Sequence, residues 1–344
     1  MTEEEKYMNR CIQLARNGAC HVSPNPMVGA VIVCDGKIIG EGYHAKCGQA
    51  HAEVNAISSV ENPSMLKRST IYVSLEPCSH YGKTPPCADL IIEKQLAKVV
   101  IGCTDPFAKV SGRGIQKLRD AGIEVVVGVL QEQCKALIKH FVTFNTLRRP
   151  YIYLKWAEST DGFIDVNRTD GNPVILSSPL TSMLVHKRRA EVDGILVGTR
   201  TALLDNPSLN VRNWQGNNPL RIVLDRQLKL PKDLHLFDGS IKTLVFTSKE
   251  CASLPMIEYV RIDFDTDILP QVIKHLYDRN IQTLLIEGGG KTLQTFINAN
   301  LWDEAFVEKA NCLLGEGVKA PRKKGEKNYA EEYHFGTKFI HYIR

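Results

Sequence analysis

The residues of this sequence best suited to chemistry are an imidazole, two thiols and a carboxylate in the first hundred positions. His51 precedes Glu53 by two positions, and eight residues separate Cys78 from Cys87. One imidazole and two thiolates can hold Zn²⁺ with a fourth position open to water, and a carboxylate outside the metal shell can move protons. We therefore predict His51, Cys78 and Cys87 as ligands of one zinc ion, and Glu53 as the proton carrier of a hydrolytic deamination.

A closed structural zinc site is the competing interpretation of these residues. It requires a fourth protein ligand, for which His44 and His80 are the candidates. A structural site has no use for a carboxylate beside its histidine, so the pairing of His51 with Glu53 favours catalysis. Helix N-termini stabilise thiolates, so both cysteines are expected at the starts of helices.

Alternating helix-like and strand-like patterns over the first half of the chain provide the scaffold for these groups. Asp35-Gly36 joins two strand-like runs and favours a tight hairpin turn. Helices are predicted at residues 4–17, 52–60, 87–95, 115–121 and 131–147, and strands at residues 28–33, 37–42, 70–75, 98–102 and 124–129. This order predicts a central sheet with helices on both faces.

A proline interrupts the pattern near the middle of the chain. Arg148-Arg149-Pro150 ends the first series of elements, because proline disfavours helix in the residue before it. We therefore predict two domains, residues 1–148 and 149–344. In the second, strands are predicted at residues 151–156, 194–198, 221–225, 243–247, 259–264 and 283–286, and helices at residues 179–192, 268–280 and 291–300.

A glycine-rich turn is the main chemical signal of the second half. Gly288-Gly289-Gly290 follows a predicted strand and opens a predicted helix. Glycines at a helix N-terminus let backbone N–H groups approach the pyrophosphate of a dinucleotide. The turn lacks the Gly-x-Gly-x-x-Gly spacing, so a Rossmann domain is not indicated.

The composition excludes several functional classes. The chain has 344 residues, of which 43% are hydrophobic, and its formal charge of +5 falls short of the clustered basic surface of a dedicated nucleic-acid binder. The first six residues are acidic and polar, unlike a signal peptide, and no stretch is apolar enough to span a bilayer. The ten cysteines are expected to be reduced thiols or metal ligands. These features predict a cytoplasmic protein with no nucleic-acid or membrane partner.

Five motifs of the first half form a recognisable set: Pro24-Asn25-Pro26-Met27-Val28-Gly29, His51-Ala52-Glu53-Val54-Asn55-Ala56, Pro77-Cys78-Ser79-His80-Tyr81-Gly82-Lys83-Thr84-Pro85-Pro86-Cys87, Asp105-Pro106 and Gly112-Arg113-Gly114. By this set the first half resembles the deaminase half of the bifunctional deaminase-reductases of riboflavin biosynthesis. The resemblance implies a cytidine-deaminase-like α/β/α sandwich that deaminates 2,5-diamino-6-(5-phosphoribosylamino)pyrimidin-4-one. It also implies that Asn25, His80 and Lys83 contact the pyrimidine and its phosphoribosyl group. The insert between the cysteines distinguishes this family from cytidine and tRNA-adenosine deaminases.

The second half resembles the reductase half of the same family, most clearly in the cluster from Asp193 to Arg212. The resemblance implies a dihydrofolate-reductase-like α/β domain that uses NADPH to reduce the ribosyl group to a ribityl chain, and a homo-oligomer formed through this domain. The implied substrate-binding residues are Arg189, Leu209, Arg212 and Glu287. The implied cofactor-binding residues are Lys155, Thr201, Asp205, Gly288, Gly289 and Gly290.

Three alternative functions remain open on the sequence. The chain could be a nucleic-acid or nucleotide deaminase with an accessory nucleotide-binding domain, although its mild charge disfavours strand binding. It could be a deaminase with a degenerate reductase half, because Asn172-Pro173-Val174-Ile175-Leu176 and Arg226 depart from the family pattern. A structural zinc module fused to a nucleotide sensor is the non-enzymatic alternative.

Overall fold

The structure is a computed structural model that describes residues 1–81, 85–106, 112–168, 172–322 and 329–344. The chain divides into two compact units, Met1–Arg148 and Arg149–Arg344. In the described ranges no helix is long and apolar enough to cross a membrane.

The first unit alternates helices and strands along the chain. Its helices are α1 (Glu3–Arg16), α2 (Ala52–Ser58), α3 (Cys87–Glu93), α4 (Arg113–Asp120), α5 (Gln131–Leu137) and α6 (Lys139–Leu147). Its strands are β1 (Gly29–Cys34), β2 (Lys37–Tyr43), β3 (Thr70–Leu75), β4 (Lys98–Cys103) and β5 (Glu124–Val127). Within the described part these strands form one sheet in the order β2-β1-β3-β4-β5. The predicted helix over residues 131–147 is wrong as one element, because the chain leaves helical geometry at Ile138.

Helices cover both faces of this sheet because its strands are apolar on both sides. Alternate residues of β1 point into two separate cores: Ala30 and Ile32 pack with α2, α3 and α4, whereas Val31 and Val33 pack with α1 and α5. Strands β3, β4 and β5 run parallel, and β1 pairs antiparallel with both β2 and β3. The result is the predicted α/β/α sandwich.

The second unit is built on a larger mixed sheet. Its helices are α7 (Pro179–Ala190), α8 (Thr199–Asp205), α9 (Ile268–Asp278) and α10 (Gly290–Asn298). Its strands are β6 (Tyr151–Glu158), β7 (Phe163–Asp165), β8 (Gly194–Gly198), β9 (Leu220–Leu224), β10 (Thr243–Thr247), β11 (Ile257–Arg261), β12 (Thr283–Gly288), β13 (Glu304–Lys309), β14 (Val318–Lys319), β15 (Tyr329–His334) and β16 (Thr337–Ile343). The main sheet has the order β11-β10-β9-β8-β12-β6-β13-β16-β15 among the described strands, and β14 pairs with β7.

The parallel strands of this sheet bring the predicted reductase residues to neighbouring positions. Strand β12 lies between β8 and β6 and is parallel to both. Helix α7 precedes β8, α8 follows β8 directly, and the glycine-rich turn ends β12. Residues that follow or end parallel strands meet at one edge of a sheet, which is where ligands bind in open α/β folds. The antiparallel pair β15 and β16 extends the sheet beyond β13.

Candidate active sites

Two glycines of β2 allow the helix that carries the first site to lie close to the sheet. A Cβ atom on Gly42 would lie 2.3 Å from the backbone nitrogen of Ala56, and one on Gly40 would lie 2.6 Å from the Ala56 carbonyl oxygen. Any larger residue would push α2 away from the strand. His51 is the N-cap residue of α2 and Glu53 lies in its first turn. The local sequence therefore fixes the imidazole and the carboxylate on one rigid helix start.

The predicted metal ligands lie together. Among the described residues, the candidate donor atoms of His51, Cys78 and Cys87 are all within 4.8 Å of one another. The Nδ1 atom of His51 is 3.3 Å from Cys87 Sγ and 3.7 Å from Cys78 Sγ. One imidazole nitrogen and two sulfurs form a donor set that suits zinc, and three ligands leave a position for another group.

The two cysteines differ in their local structure. Cys87 is the first residue of α3, as expected, whereas Cys78 lies in the loop before it. The expectation that Cys78 starts a helix is wrong, but the backbone N–H of Cys87 donates to Cys78 Sγ at 3.3 Å. The hydrogen bond between the two thiol groups lowers the pKa of Cys78, whereas the same hydrogen bond and burial raise the pKa of Cys87. The geometry thus favours a thiolate at Cys78.

Glu53 lies beside this set and is 3% exposed. Burial, with a contribution from the nearby Cys78 charge, raises the pKa of Glu53 to about 7. A carboxyl group with such a pKa can accept and release a proton near neutral pH. The same environment raises the pKa of His51, chiefly through its hydrogen bond with Cys78.

Asn25 contacts a second histidine, His44, which in turn packs against the metal-ligand candidate His51. Its Nδ2 atom is 3.1 Å from His44 Nε2, and His44 Nδ1 is 3.0 Å from the Ala50 carbonyl oxygen. His44 is 3% exposed and its ring packs edge-on against the His51 ring at 5.5 Å. His44 donates from Nδ1 and accepts from Asn25, which orients the Asn25 side chain and leaves the amide oxygen available for a ligand. From the sequence, His44 is only a candidate metal ligand, and its contact with Asn25 has no local signal.

The other two predicted deaminase contacts are on the loop between the cysteines. His80 is exposed on this loop. Lys83 lies outside the described residues.

Glu76, just before this loop, is a structural residue that sequence reasoning did not single out. Its side chain is buried and accepts hydrogen bonds from the backbone N–H groups of Asp105, Gly112, Gly114 and Ile115. Two of these groups belong to the first turn of α4, so the carboxylate caps that helix from outside. Glu76 thereby ties the Cys78 loop to Asp105 and to the start of α4.

A largely buried ion pair marks the predicted substrate site of the second unit. Arg189, in the last turn of α7, binds Glu287 of β12 through two contacts, Nε–Oε1 at 3.0 Å and Nη2–Oε2 at 2.7 Å. Burial acts to raise the pKa of Glu287, but the charge and hydrogen bonds of Arg189, with a contribution from Lys155, lower it overall. Arg189 Nη1 also donates to the Asn210 carbonyl oxygen at 3.2 Å. The pair therefore links α7, β12 and the segment after α8.

That segment carries the remaining predicted substrate residues. Arg212 is exposed, its Nη1 atom donates to Asn210 Oδ1 at 2.9 Å, and its backbone N–H donates to His186 Nδ1 at 3.3 Å. Leu209 is 1% exposed and packs in the core on this face of the sheet, with a φ of 48°. The structure therefore gives Leu209 a place in the scaffold and leaves the Arg212 guanidinium open to a ligand.

The glycine-rich turn forms a tight cradle against α8. A Cβ atom on Gly289 would lie 2.8 Å from Thr201 Oγ1, and Gly288 has a φ of 156°. Only glycine fits so close to the helix, and Gly290 opens α10. Backbone N–H groups at this helix start, with the Thr201 hydroxyl beside them, suit the pyrophosphate of NADPH. Asp205, at the end of α8, forms an ion pair with Arg168.

Lys155 follows Leu154, which pairs with Ile286 of β12, and it lines a cavity of about 360 Å³. Its Nζ atom is 3.8 Å from Glu308 Oε2, on the neighbouring strand β13. Its charge also acts on Glu287, as the lowered pKa of that carboxyl indicates. Lys155 therefore lies between the ion pair and the cavity.

The α/β/α sandwich with one histidine and two cysteines at its metal site is typical of zinc-binding deaminase domains. Each of the two units also matches the model of a known protein family. Residues 1–103 match the family model of the cytidine and deoxycytidylate deaminase zinc-binding region. Residues 150–336 match the family model of the RibD C-terminal domain. The protein is thus a zinc deaminase domain followed by a reductase domain.

The similarity to named relatives extends over both units of the chain. The chain is 37% identical over 320 residues to riboflavin biosynthesis protein RibD of Aquifex aeolicus, covering 92% of this chain and 89% of that one. It is 38% identical over 327 residues to RibD of Bacillus amyloliquefaciens, covering 92% and 87%. The crystal structure of a diaminohydroxyphosphoribosylaminopyrimidine deaminase/5-amino-6-(5-phosphoribosylamino)uracil reductase from Thermotoga maritima superposes with a TM-score of 0.89 at 37% identity, covering 99% and 98%. The chain belongs to the RibD family of bifunctional deaminase-reductases of riboflavin biosynthesis.

Proposed function

We propose that residues 1–148 deaminate 2,5-diamino-6-(5-phosphoribosylamino)pyrimidin-4-one and that residues 149–344 reduce the ribosyl group of the product. Membership of the family and the activities named for the Thermotoga protein support this order of reactions. The observation that carries the first step is the buried Glu53 beside the donor set of His51, Cys78 and Cys87. These three residues would hold a zinc ion, which would supply an activated water for hydrolysis at the carbon that bears the amino group.

Glu53 moves the protons of this reaction. Its buried carboxylate takes a proton from the attacking water and delivers it to the departing amino group, which leaves as ammonia. A pKa near 7 suits both transfers, since the group is neither a strong acid nor a permanent base at neutral pH. Asn25, oriented by His44, holds the pyrimidine ring through its amide oxygen, and His80 and Lys83 bind the polar groups of the substrate.

In the reductase site, charged side chains bind the substrate and backbone N–H groups of the glycine-rich turn bind the cofactor. Gly288, Gly289, Gly290, Thr201 and Asp205 would hold NADPH, which would supply the hydride for the reduction. Arg212 offers its guanidinium to the substrate phosphate, because planar N–H pairs match phosphate oxygens. Glu287, held by Arg189, accepts hydrogen bonds from ribose hydroxyl groups. Leu209 supports this segment from the core.

Replacement of one catalytic group tests the deaminase assignment. In Glu53→Gln the three metal ligands are intact, so zinc content should equal that of the wild type while deamination falls by about 10²- to 10⁴-fold. Reduction of the deaminated intermediate by the same variant should be unchanged and serves as the internal control. Deamination at the wild-type rate would exclude the proton-carrying role of Glu53.

We further propose that the protein is a cytoplasmic homo-oligomer. All ten cysteines are free thiols, which suits a reducing compartment. Strand β15 is the last of the sheet order and, with the turn after it, exposes Tyr329, Tyr333 and Phe335, a surface suited to a second copy of the chain. Light scattering coupled to gel filtration tests the assembly, and a Tyr333→Lys variant should shift it toward the monomer.

A further inference from the structure

A short two-stranded ribbon, formed by β7 and β14, lies against the glycine-rich turn. The two strands pair antiparallel. A Cβ atom on Gly290 would lie 3.1 Å from Ile164 Cδ1 and 3.8 Å from Val318 Cγ1, so the ribbon packs directly on the first residue of α10. The nearest neighbour of the other two glycines of the turn is Thr201 of α8. The turn is therefore bounded by the ribbon and by α8.

The ribbon is too small to be fixed by its own pairing. Its strands have three and two residues, and an isolated two-stranded ribbon is only marginally stable in water. At one end, Asp161 accepts hydrogen bonds from the backbone N–H groups of Leu314 and Gly315. These bonds join the two chain segments that lead into the ribbon, and neither segment belongs to α8. The position of the ribbon beside α8 therefore depends on contacts with residues outside the ribbon.

Arg168 supplies such a contact at the other end of the ribbon. Its Nε atom donates to Oδ2 of Asp165, the last residue of β7, at 2.7 Å. Its Nη2 atom donates to Oδ1 of Asp205, the last residue of α8. The Arg168 side chain is only 6% exposed, so water and salt screen the two ion pairs weakly. A planar guanidinium can bind two carboxylates in fixed directions, and Arg168 thereby joins the ribbon to the helix.

We propose that Arg168 is a latch that keeps the ribbon closed over the glycine-rich turn and thereby slows the release of NADPH. The inference rests on the proposed function, in which this turn holds the cofactor. Release requires the ribbon to move away from α8, and that movement breaks an ion pair of Arg168. Arg168 acts through the ribbon and contacts no reacting atom, so it is a positioning residue.

Neutralisation of charge is the competing role for the same residue. Asp165 and Asp205 carry two negative charges beside the site of an anionic cofactor, and Arg168 offsets one of them. If charge alone matters, Asp165→Asn removes a repulsion and NADPH should leave more slowly. A latch gives the opposite sign. Asparagine keeps only one oxygen, and because the Val166 N–H already donates to Asp165 Oδ1 at 3.0 Å, the contact with Arg168 is lost.

Stopped-flow fluorescence measures the release of NADPH directly. NADPH bound to the full chain is displaced by excess NADP⁺, and the fluorescence change gives the dissociation rate. Arg168→Met and Asp165→Asn should each raise this rate about 10- to 100-fold, the effect of losing one charge-assisted hydrogen bond. Arg168→Lys keeps the charge without the planar fork and should release NADPH nearly as fast as Arg168→Met. The control is Arg261→Met, an exposed position on β11 at the far end of the sheet, which should leave the rate unchanged.

The outcomes separate the latch from neutralisation and from the proposed cofactor site. Release that is unchanged or slower in Asp165→Asn, or unchanged in Arg168→Lys, would overturn the latch. If Arg168→Met does not fold, Asp165→Asn carries the same measurement.

Hydrogen exchange followed by mass spectrometry tests the ribbon without any cofactor. The N–H of Ala320 donates to the Gly162 carbonyl oxygen at 2.9 Å, and it should exchange about 10-fold faster in Arg168→Met than in the wild type. Equal exchange rates would show that Arg168 does not hold the ribbon. A wild-type chain that binds no NADPH would overturn the proposed cofactor site instead, and the exchange of Ala320 would still decide whether Arg168 closes the ribbon.

Discussion

Replacement of Glu76 by glutamine should destabilise the first unit far more than an ordinary charge removal. The buried carboxylate accepts N–H groups from Asp105 and Gly112 on Oε2, at 3.2 and 3.0 Å, and from Gly114 and Ile115 on Oε1, at 2.9 and 3.4 Å. A glutamine keeps one oxygen and turns an NH₂ group toward two backbone donors. Two charge-assisted hydrogen bonds of about 1.5–2.5 kcal/mol each are lost, so we expect a loss of about 3–5 kcal/mol in the free energy of unfolding.

Urea unfolding followed by circular dichroism measures this loss directly. Because Glu76 ties the Cys78 loop to Asp105 and the start of α4, the variant should also bind zinc more weakly, measured as metal retained after dialysis against a chelator. Glu61→Gln, at an exposed position of the same unit, is the control and should change the stability by less than about 0.5 kcal/mol. A loss below about 1 kcal/mol in Glu76→Gln would refute the reasoning, since it would mean that the backbone donors find other partners.

Three further changes test other parts of the structure. Gly42→Ala places a methyl group 2.3 Å from the Ala56 backbone nitrogen, so it should displace α2, lower the thermal midpoint and weaken zinc binding, as measured by calorimetry and metal analysis. Arg189→Met leaves Glu287 buried without its partner and should cost about 3–5 kcal/mol at neutral pH in urea unfolding. This deficit should shrink as the pH falls toward the lowered pKa of Glu287, because the wild-type pair stabilises the fold only while that carboxylate is charged; a deficit independent of pH would contradict the pairing. Chelation of zinc should abolish deamination and leave reduction of the deaminated intermediate intact, and a parallel loss of both activities would contradict the division of labour.

The metal ligands could be predicted from the sequence because the signal is local. His51 and Glu53 are two positions apart at one helix start, and each cysteine follows a proline. The spacing predicted a cluster, and the structure brings the three donor atoms within 4.8 Å. The residues that organise this cluster were harder to see. Glu76 acts through backbone groups some thirty to forty positions away along the chain, and no periodic pattern reports such contacts.

The elements missed in the second unit share a physical reason. Strand β13 has charged residues at three of its six positions, two of them buried glutamates, so its hydrophobic alternation is broken. Strand β15 lies at the edge of the sheet and is exposed at five of its six positions. Its sequence therefore lacks the alternation of apolar and polar residues that burial of one face produces. Both strands are stabilised by hydrogen bonding to neighbouring strands, and this pairing becomes visible only in the folded structure. Without β13, Glu308 had no predicted neighbours, and its relation to Lys155 on β6 could not be inferred.

The central claim, two successive reactions in one chain, is tested most directly by the masses of the products. The purified protein is incubated with 2,5-diamino-6-(5-phosphoribosylamino)pyrimidin-4-one, with and without NADPH. Without NADPH the product should carry one oxygen in place of one amino group, and with NADPH it should gain two further hydrogens. A substrate that keeps its amino group, or a deaminated product that NADPH leaves unchanged, would contradict the assignment of the corresponding unit.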